Sequence, residues 1–102
     1  MARNQAEVLV NNNDWYELTN ADATTITWQI VENYDWANYV YIRVTDDATK
    51  PTEQYGLRFS SDNDPEVNRA LTAYRGGAGT PKRVWAKASK EPVVVLVSDN
   101  SL

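Results

Sequence analysis

One acidic loop spaces its carboxylates at alternate positions, as oxygen ligands are spaced in a calcium-binding loop. Asp62, Asp64 and Glu66 supply these carboxylates. An EF-hand loop also requires a glycine at its sixth position and a glutamate at its twelfth. Val67 and Ala73 occupy those two positions. We therefore expect a solvated loop there and no metal site.

A second loop, residues 76–79, is rich in glycine and invites comparison with a phosphate-binding loop. The phosphate-binding loop requires lysine and then Ser or Thr directly after its last glycine, followed by a helix. Here Gly79 precedes Thr80 and Pro81, and the strand pattern resumes at Lys82. We interpret 76–79 as a flexible connection and expect no cofactor.

The two residue types that most often carry catalysis and metal binding do not occur in the chain. Without histidine, no serine has its usual base, and without cysteine there is no thiolate or disulfide chemistry. The 14 acidic residues cannot be assigned to a catalytic pair from their spacing. We expect a protein that has no catalytic residues and is not an enzyme.

One group of aromatic residues is the strongest functional candidate. Tyr34, Trp36, Tyr39 and Tyr41 lie close together in the chain, beside Asp35 and several amides. Flat rings beside carboxylates and amides suit a sugar-binding surface, and they serve equally well as anchors in a protein interface. They would also pack across a sheet as cross-strand pairs. The sequence leaves these three interpretations open.

Period-two alternation of apolar side chains, the pattern of half-buried strands, recurs along the chain. The longest example places Ile26, Trp28 and Ile30 on one face, so we expect Trp28 to be buried. The same pattern directs Val40 and Ile42 inward. The seven predicted strands are 6–10, 15–18, 23–31, 39–45, 54–59, 82–88 and 93–97.

Residues 65–74 interrupt this alternation. Asp64 and Pro65 have the residue types of a helix N-cap and a first helical position. Leu71 and Tyr74 keep helical spacing. We expect one short helical turn near 65–74.

The run Val93–Val97 is the only unbroken apolar stretch of its length in the chain. Because successive side chains of a strand point to opposite faces, this run offers no face to water. We expect a strand buried on both sides, at the centre of its sheet or beneath a partner chain. Residues 89–92 should join it to the preceding strand as a hairpin.

Length, charge and strand pattern together define a class of protein. A chain of 102 residues is long enough for one domain, 1–102, and the expected fold is all-β: a single antiparallel β-sandwich or partly open barrel of about seven strands. The net charge of −4 argues against nucleic acid or an anionic membrane as a partner. No apolar signal segment or transmembrane stretch is evident, so we expect synthesis in the cytoplasm.

Six sequence blocks cover most of the chain in a fixed order: ARNQAEVLV, DWYELTNADATTITWQI, VYIRV, YGLRF, RVWAKA and VVVLVSDN. In the order and spacing of these blocks, the chain resembles short virion structural proteins of tailed bacteriophages. The resemblance implies a β-rich accessory protein of the particle, such as a capsid decoration or cement protein or a piece of a head fibre or tail. The acidic, glycine-poor segment SSDNDPEVNRALTAYR departs from that pattern, so contacts made by this loop are not carried over.

Together, the resemblance and the residue patterns lead to one functional hypothesis and one alternative. We expect a structural protein of the virion, made in the host cytoplasm, that forms a homo-oligomer and binds major capsid or tail subunits. The alternative is a glycan-binding module of a phage receptor-binding apparatus. Ring or aliphatic surface left outside the core usually marks an interface, and the residues expected there are Trp36, Tyr39, Tyr41, Val94 and Leu96.

Overall fold

Two four-stranded antiparallel sheets pack face to face in the computed structural model, which describes residues 3–32, 38–60, 65–75 and 79–101. These residues form eight strands and a single 3₁₀ turn, which confirms the expected all-β, sandwich-like fold. The elements are β1 (Ala6–Val10), β2 (Tyr16–Glu17), β3 (Ala23–Glu32), β4 (Val40–Thr45), β5 (Leu57–Phe59), β6 (Glu66–Ala70), the 3₁₀ turn (Leu71–Tyr74), β7 (Arg83–Ala88) and β8 (Val93–Ser101).

The chain passes repeatedly between the two sheets, which have the strand orders β1-β8-β3-β6 and β2-β7-β4-β5. Among the described strands, only β4 and β5 are both consecutive in the chain and paired. The predicted hairpin over 89–92 is therefore wrong, because β7 and β8 lie in different sheets. The buried Asn38 stabilises the connection between β7 and β8, because its side-chain oxygen accepts a hydrogen bond from the Lys90 N–H (2.8 Å). Its amide donates to the Glu91 carbonyl (2.7 Å).

Strand β8 lies at the centre of the first sheet, paired with β1 on one side and β3 on the other. The predicted central position is confirmed, but burial on both sides is wrong. Val93, Val95 and Val97 are buried, whereas Val94 and Leu96 are half-buried. The inner face of β8 packs against the second sheet, while its outer face is covered only in part by side chains of its own sheet.

Trp28 lies inside the core and is only 2% exposed, which confirms the inward face predicted for β3. Its ring meets Phe59 edge-on with the centroids 5.0 Å apart, and its Nε1 donates to the Tyr74 hydroxyl at 2.9 Å. That hydroxyl donates to Glu66 at 3.2 Å, and burial raises the pKa of Tyr74, so it keeps the proton that this contact needs. The two sheets, the 3₁₀ turn and the residue after β2 contribute the other large members of the core: Val10, Leu18, Ile26, Val40, Ile42, Leu71, Val84, Val93, Val95 and Val97.

The short helical turn predicted near 65–74 is confirmed at Leu71–Tyr74, but it does not begin at Pro65, because Glu66–Ala70 is strand β6. This strand pairs with β3 and covers an edge that would otherwise be open, so tertiary pairing overrides the helical pattern. A bulge opposite Thr27 accommodates an extra residue in β6, where Asn68 adopts a positive φ of 50°. Only Leu71–Tyr74 is helical, as a 3₁₀ turn that buries Leu71 and Tyr74.

The strand predicted over 54–59 is shorter than expected, because β5 begins only at Leu57. Continuous alternation over 54–59 would place Tyr55 on the same face as Phe59, but its ring lies against Tyr41 outside the sandwich. Gly56 lies between Tyr55 and the start of β5, and a Cβ atom at this position would collide with the backbone carbonyl of Ile42. The chain therefore approaches β4 so closely at Gly56 that only glycine fits.

Candidate binding surfaces

The outer face of the second sheet is covered by the chain's own connection between β4 and β5, residues 46–56. Trp15 and Trp85 belong to this outer face rather than to the core cluster, yet they are 4% and 6% exposed. The Nε1 of Trp15 donates to the Glu53 carbonyl at 2.8 Å, and the Nε1 of Trp85 donates to Thr45 Oγ1 at 2.8 Å. We call residues 46–56 the covering segment.

Two further contacts fasten the covering segment to the sheet. The Nε of Arg43 on β4 donates to the Tyr55 carbonyl at 2.7 Å. The Lys50 ammonium donates to Asp14 at 2.7 Å, and this contact, together with the Trp15 N–H, lowers the pKa of the Asp14 carboxyl. This face is therefore held by both apolar burial and polar contacts.

The outer face of the first sheet has an apolar strip instead, which we define as Leu9, Val31, Val94 and Leu96. Leu9 is 55% exposed and lies directly opposite Val94, while Val31 is 48% exposed at the end of β3. Val94 and Leu96 are half-buried between them on β8. Glu7 is the cross-strand partner of Leu96, so a carboxylate borders the strip. Four neighbouring apolar side chains thus stay in contact with solvent.

The residues predicted at an interface do not form one surface. Trp36 lies outside the described residues, as does Tyr34. Tyr39 and Tyr41 are half-buried on the second sheet, whereas Val94 and Leu96 belong to the apolar strip on the first. Whether any of the five contacts a partner stays a prediction.

The two described tyrosines of this group already have neighbours within the chain. The Arg58 guanidinium lies over the Tyr39 ring, 4.4 Å from its centroid. The Tyr41 ring meets Tyr55 edge-on at 5.5 Å. Asn38, one of the amides beside the aromatic group, is buried and bonded to the 89–91 turn, so it is not available to a sugar.

Sequence reasoning missed Leu9 and Val31, the most exposed members of the apolar strip. A signal for Leu9 was present, because it is the one large apolar residue on the outward face of a strand that alternates. Val31 carried a similar signal, because it follows Thr25, Thr27 and Gln29 on the outward positions of the β3 alternation. It lies where the β3–β8 register shifts between Ile30 and Glu32.

Metal and membrane binding receive no positive support from the parts of the chain that the structure describes. No group of three or more acidic side chains within them could hold a metal ion, and none of their helices is long and apolar enough to cross a membrane. Asp62 and Asp64, which prompted the calcium question, lie outside the described residues. Glu66 accepts a hydrogen bond from the Tyr74 hydroxyl.

Comparisons of this chain with protein-family models, with curated proteins and with solved structures find no match.

Proposed function

We propose that this protein is a non-enzymatic structural protein of a tailed-bacteriophage virion, either a capsid decoration or cement protein or a head-fibre or tail accessory protein. The observation that carries the proposal is the apolar strip on the first sheet, which is its contact with neighbouring virion subunits. The sequence resemblance supports the assignment to a phage particle, and the strip supports binding through surface complementarity.

The strip has the properties of a contact between flat surfaces. Leu9 and Val31 each leave about half of their side chains exposed, and they adjoin Val94 and Leu96. Covering such side chains contributes roughly 1 kcal/mol each, which is too little for a lasting contact between two isolated molecules. In a symmetric particle the same weak contact is repeated by many copies, and linked contacts add to one another. A surface of this kind therefore suits a subunit of an assembly.

The polar side chains with the most defined contacts serve structural purposes, which supports binding over catalysis. Arg83 donates to Glu17 at 2.8 Å and to Asp22 at 3.0 Å, and these hydrogen bonds raise its pKa. They connect β7 to β2 and to the turn after it. The buried Asp99 accepts from the Asn20 N–H at 3.2 Å. These charged groups hold elements of the fold together.

The experiment places a charge in the strip and measures assembly. Leu9→Asp and Val31→Asp should lower the affinity for stripped particles by at least about tenfold, because a carboxylate in an apolar contact must be desolvated. Sedimentation of the free protein should show whether the same variants also weaken self-association. Tyr55→Ala is the matched control, since Tyr55 is 59% exposed but lies on the opposite sheet. Wild-type decoration of particles by both Asp variants would refute the proposal.

The predicted contacts of the aromatic residues are tested separately. Trp36→Ala and Tyr41→Ala should weaken binding to the particle if these rings are interface anchors, which typically contribute about 2 kcal/mol or more each. Loss of binding only when a sugar is present would favour the glycan-binding alternative. That alternative has one structural observation in its favour, a cavity on the second sheet.

A further inference from the structure

A cavity of about 300 Å³ opens on the outer face of the second sheet, away from the apolar strip. Tyr41 and Lys87 form its floor from the paired strands β4 and β7, and Tyr55 and Gln54 border it from the covering segment. Asn12 lies at its rim. Its volume is at the small end of the range for ligand sites, which suits one or two small rings.

The two tyrosines present ring surface in a fixed arrangement. Their ring planes are inclined at 64°, and the backbone of Tyr41 is held in β4, where Tyr41 pairs with Lys87 on one side and Arg58 on the other. Tyr55 is 59% exposed, yet its carbonyl accepts from Arg43 at 2.7 Å, so its backbone is held while its ring faces solvent. Aromatic ring faces carry negative charge density that attracts the polarised C–H groups of a sugar ring.

Several polar groups around the cavity have no hydrogen-bond partner among the described residues: the hydroxyls of Tyr41 and Tyr55, the Gln54 amide and the Lys87 ammonium. By contrast, the Asn12 amide at the rim donates to the Lys90 carbonyl. Tyrosine hydroxyls and glutamine amides both donate and accept, which matches the hydroxyl groups of a sugar. Unpaired polar groups and exposed rings thus converge on the same space.

Lys87 adds a charge preference to this cavity. Its ammonium lies 5.9 Å from the centre of the Trp15 ring, and its charge helps to lower the pKa of Asp14, but it forms no salt bridge within the described part of the chain. Lysine has three donors and no acceptor, so the group that it binds best is an anion. We propose that the cavity between Tyr41, Tyr55 and Lys87 binds an acidic saccharide, a pyranose ring bearing a carboxylate, with the ring on the tyrosines and the carboxylate on the ammonium.

The site does not depend on the proposed structural role, because the two surfaces belong to different sheets. A protein attached to a particle through the first sheet would still present the cavity of the second sheet outward. Such an arrangement would let one small domain attach to the particle and contact a surface polysaccharide at the same time.

The test is a titration of the full chain, followed by two-dimensional amide NMR, with glucuronic acid as the probe and glucose as the neutral match. Glucuronic acid should give saturable shifts at Tyr41, Tyr55 and Lys87 in the millimolar range, and glucose should bind several-fold more weakly. Tyr55→Ala should weaken glucuronic acid about tenfold, because it removes one ring face. Lys87→Met should abolish the preference over glucose, and Leu9→Asp should change neither.

Three results would overturn the site. They are the absence of saturable shifts with either sugar, equal binding of glucose and glucuronic acid, and equal shifts with acetate, which would indicate a simple anion site. The amide spectrum of each variant shows whether it is folded, so lost binding cannot be mistaken for lost structure. If Tyr55→Ala loses the sugar but still decorates particles, while Leu9→Asp does the reverse, the two proposals are supported separately.

Discussion

The two outer faces of the sandwich differ in how their apolar side chains are covered. On the second sheet Trp15 and Trp85 are almost completely buried, although they point away from the core. On the first sheet Leu9 and Val31 stay about half exposed. The difference is the covering segment, residues 46–56, which is also the only connection between described strands that are paired within one sheet. One long connection thus lies over one outer face, while the apolar side chains of the other outer face stay about half exposed.

The core between the sheets sets the energy scale for this comparison. Trp28→Ala should lower the free energy of unfolding by about 3–5 kcal/mol, because it empties a large buried site. It also removes the donor that Trp28 supplies to the Tyr74 hydroxyl. Urea denaturation of the variant measures the change. A shift of the midpoint that corresponds to less than about 1 kcal/mol would mean that the core packing described above is wrong.

The comparison itself is tested by truncating one residue on each outer face. Trp85→Ala should cost about 2–3 kcal/mol, because its ring is only 6% exposed and its Nε1 donates to Thr45. Leu9→Ala should cost less than about 1 kcal/mol in the free protein, since half of the side chain is already in water. Thermal or urea unfolding of both variants gives the difference. Similar losses of unfolding free energy in the two variants would show that the two outer faces do not differ in how much their apolar side chains stabilise the fold.

The smallest expected effect concerns the contact between Asp14 and Lys50. The hydrogen bond from Lys50, reinforced by that from the Trp15 N–H, lowers the pKa of Asp14 below its ordinary value of 3.8. The folded state therefore favours the charged carboxylate, and the resulting stability is present above the ordinary pKa and is lost as the pH falls through the lowered one. In Asp14→Asn the urea midpoint should fall less steeply with acid than in the wild type. Identical acid profiles would show that this exposed contact does not help to fasten the segment.

The inward faces of the strands could be predicted because each is determined by local alternation. Ala6, Val8 and Val10 on β1, and Val40 and Ile42 on β4, all face the core as their spacing indicates. Solvent and core impose this pattern on each strand separately, so no knowledge of its neighbours is needed.

Strand partners and coverage could not be predicted, because they depend on distant parts of the chain. Glu66–Ala70 becomes a strand only because the β3 edge is available to it. Trp15 is buried away from the core, and its Nε1 donates to Glu53 in the distant covering segment. The same limit applies to the candidate sites. The Tyr55 ring contacts Tyr41 from a different segment of the chain, and Val94 stays partly exposed because no segment among the described residues covers it fully.

The central position of β8 has a consequence for how the protein folds. Both β1 and β3 pair with β8, which is the last of the described strands in chain order. Strand β1 therefore cannot pair until residues 93–101 have been synthesised. Most contacts in this sheet join distant parts of the chain. The entropy cost of closing such long loops arises before the contacts between their ends add any stability. Folds dominated by such contacts therefore form in milliseconds to seconds rather than microseconds. During synthesis β1 has no partner and β3 has only β6 until β8 is made, and this interval is when their free edges are most open to pairing with other chains.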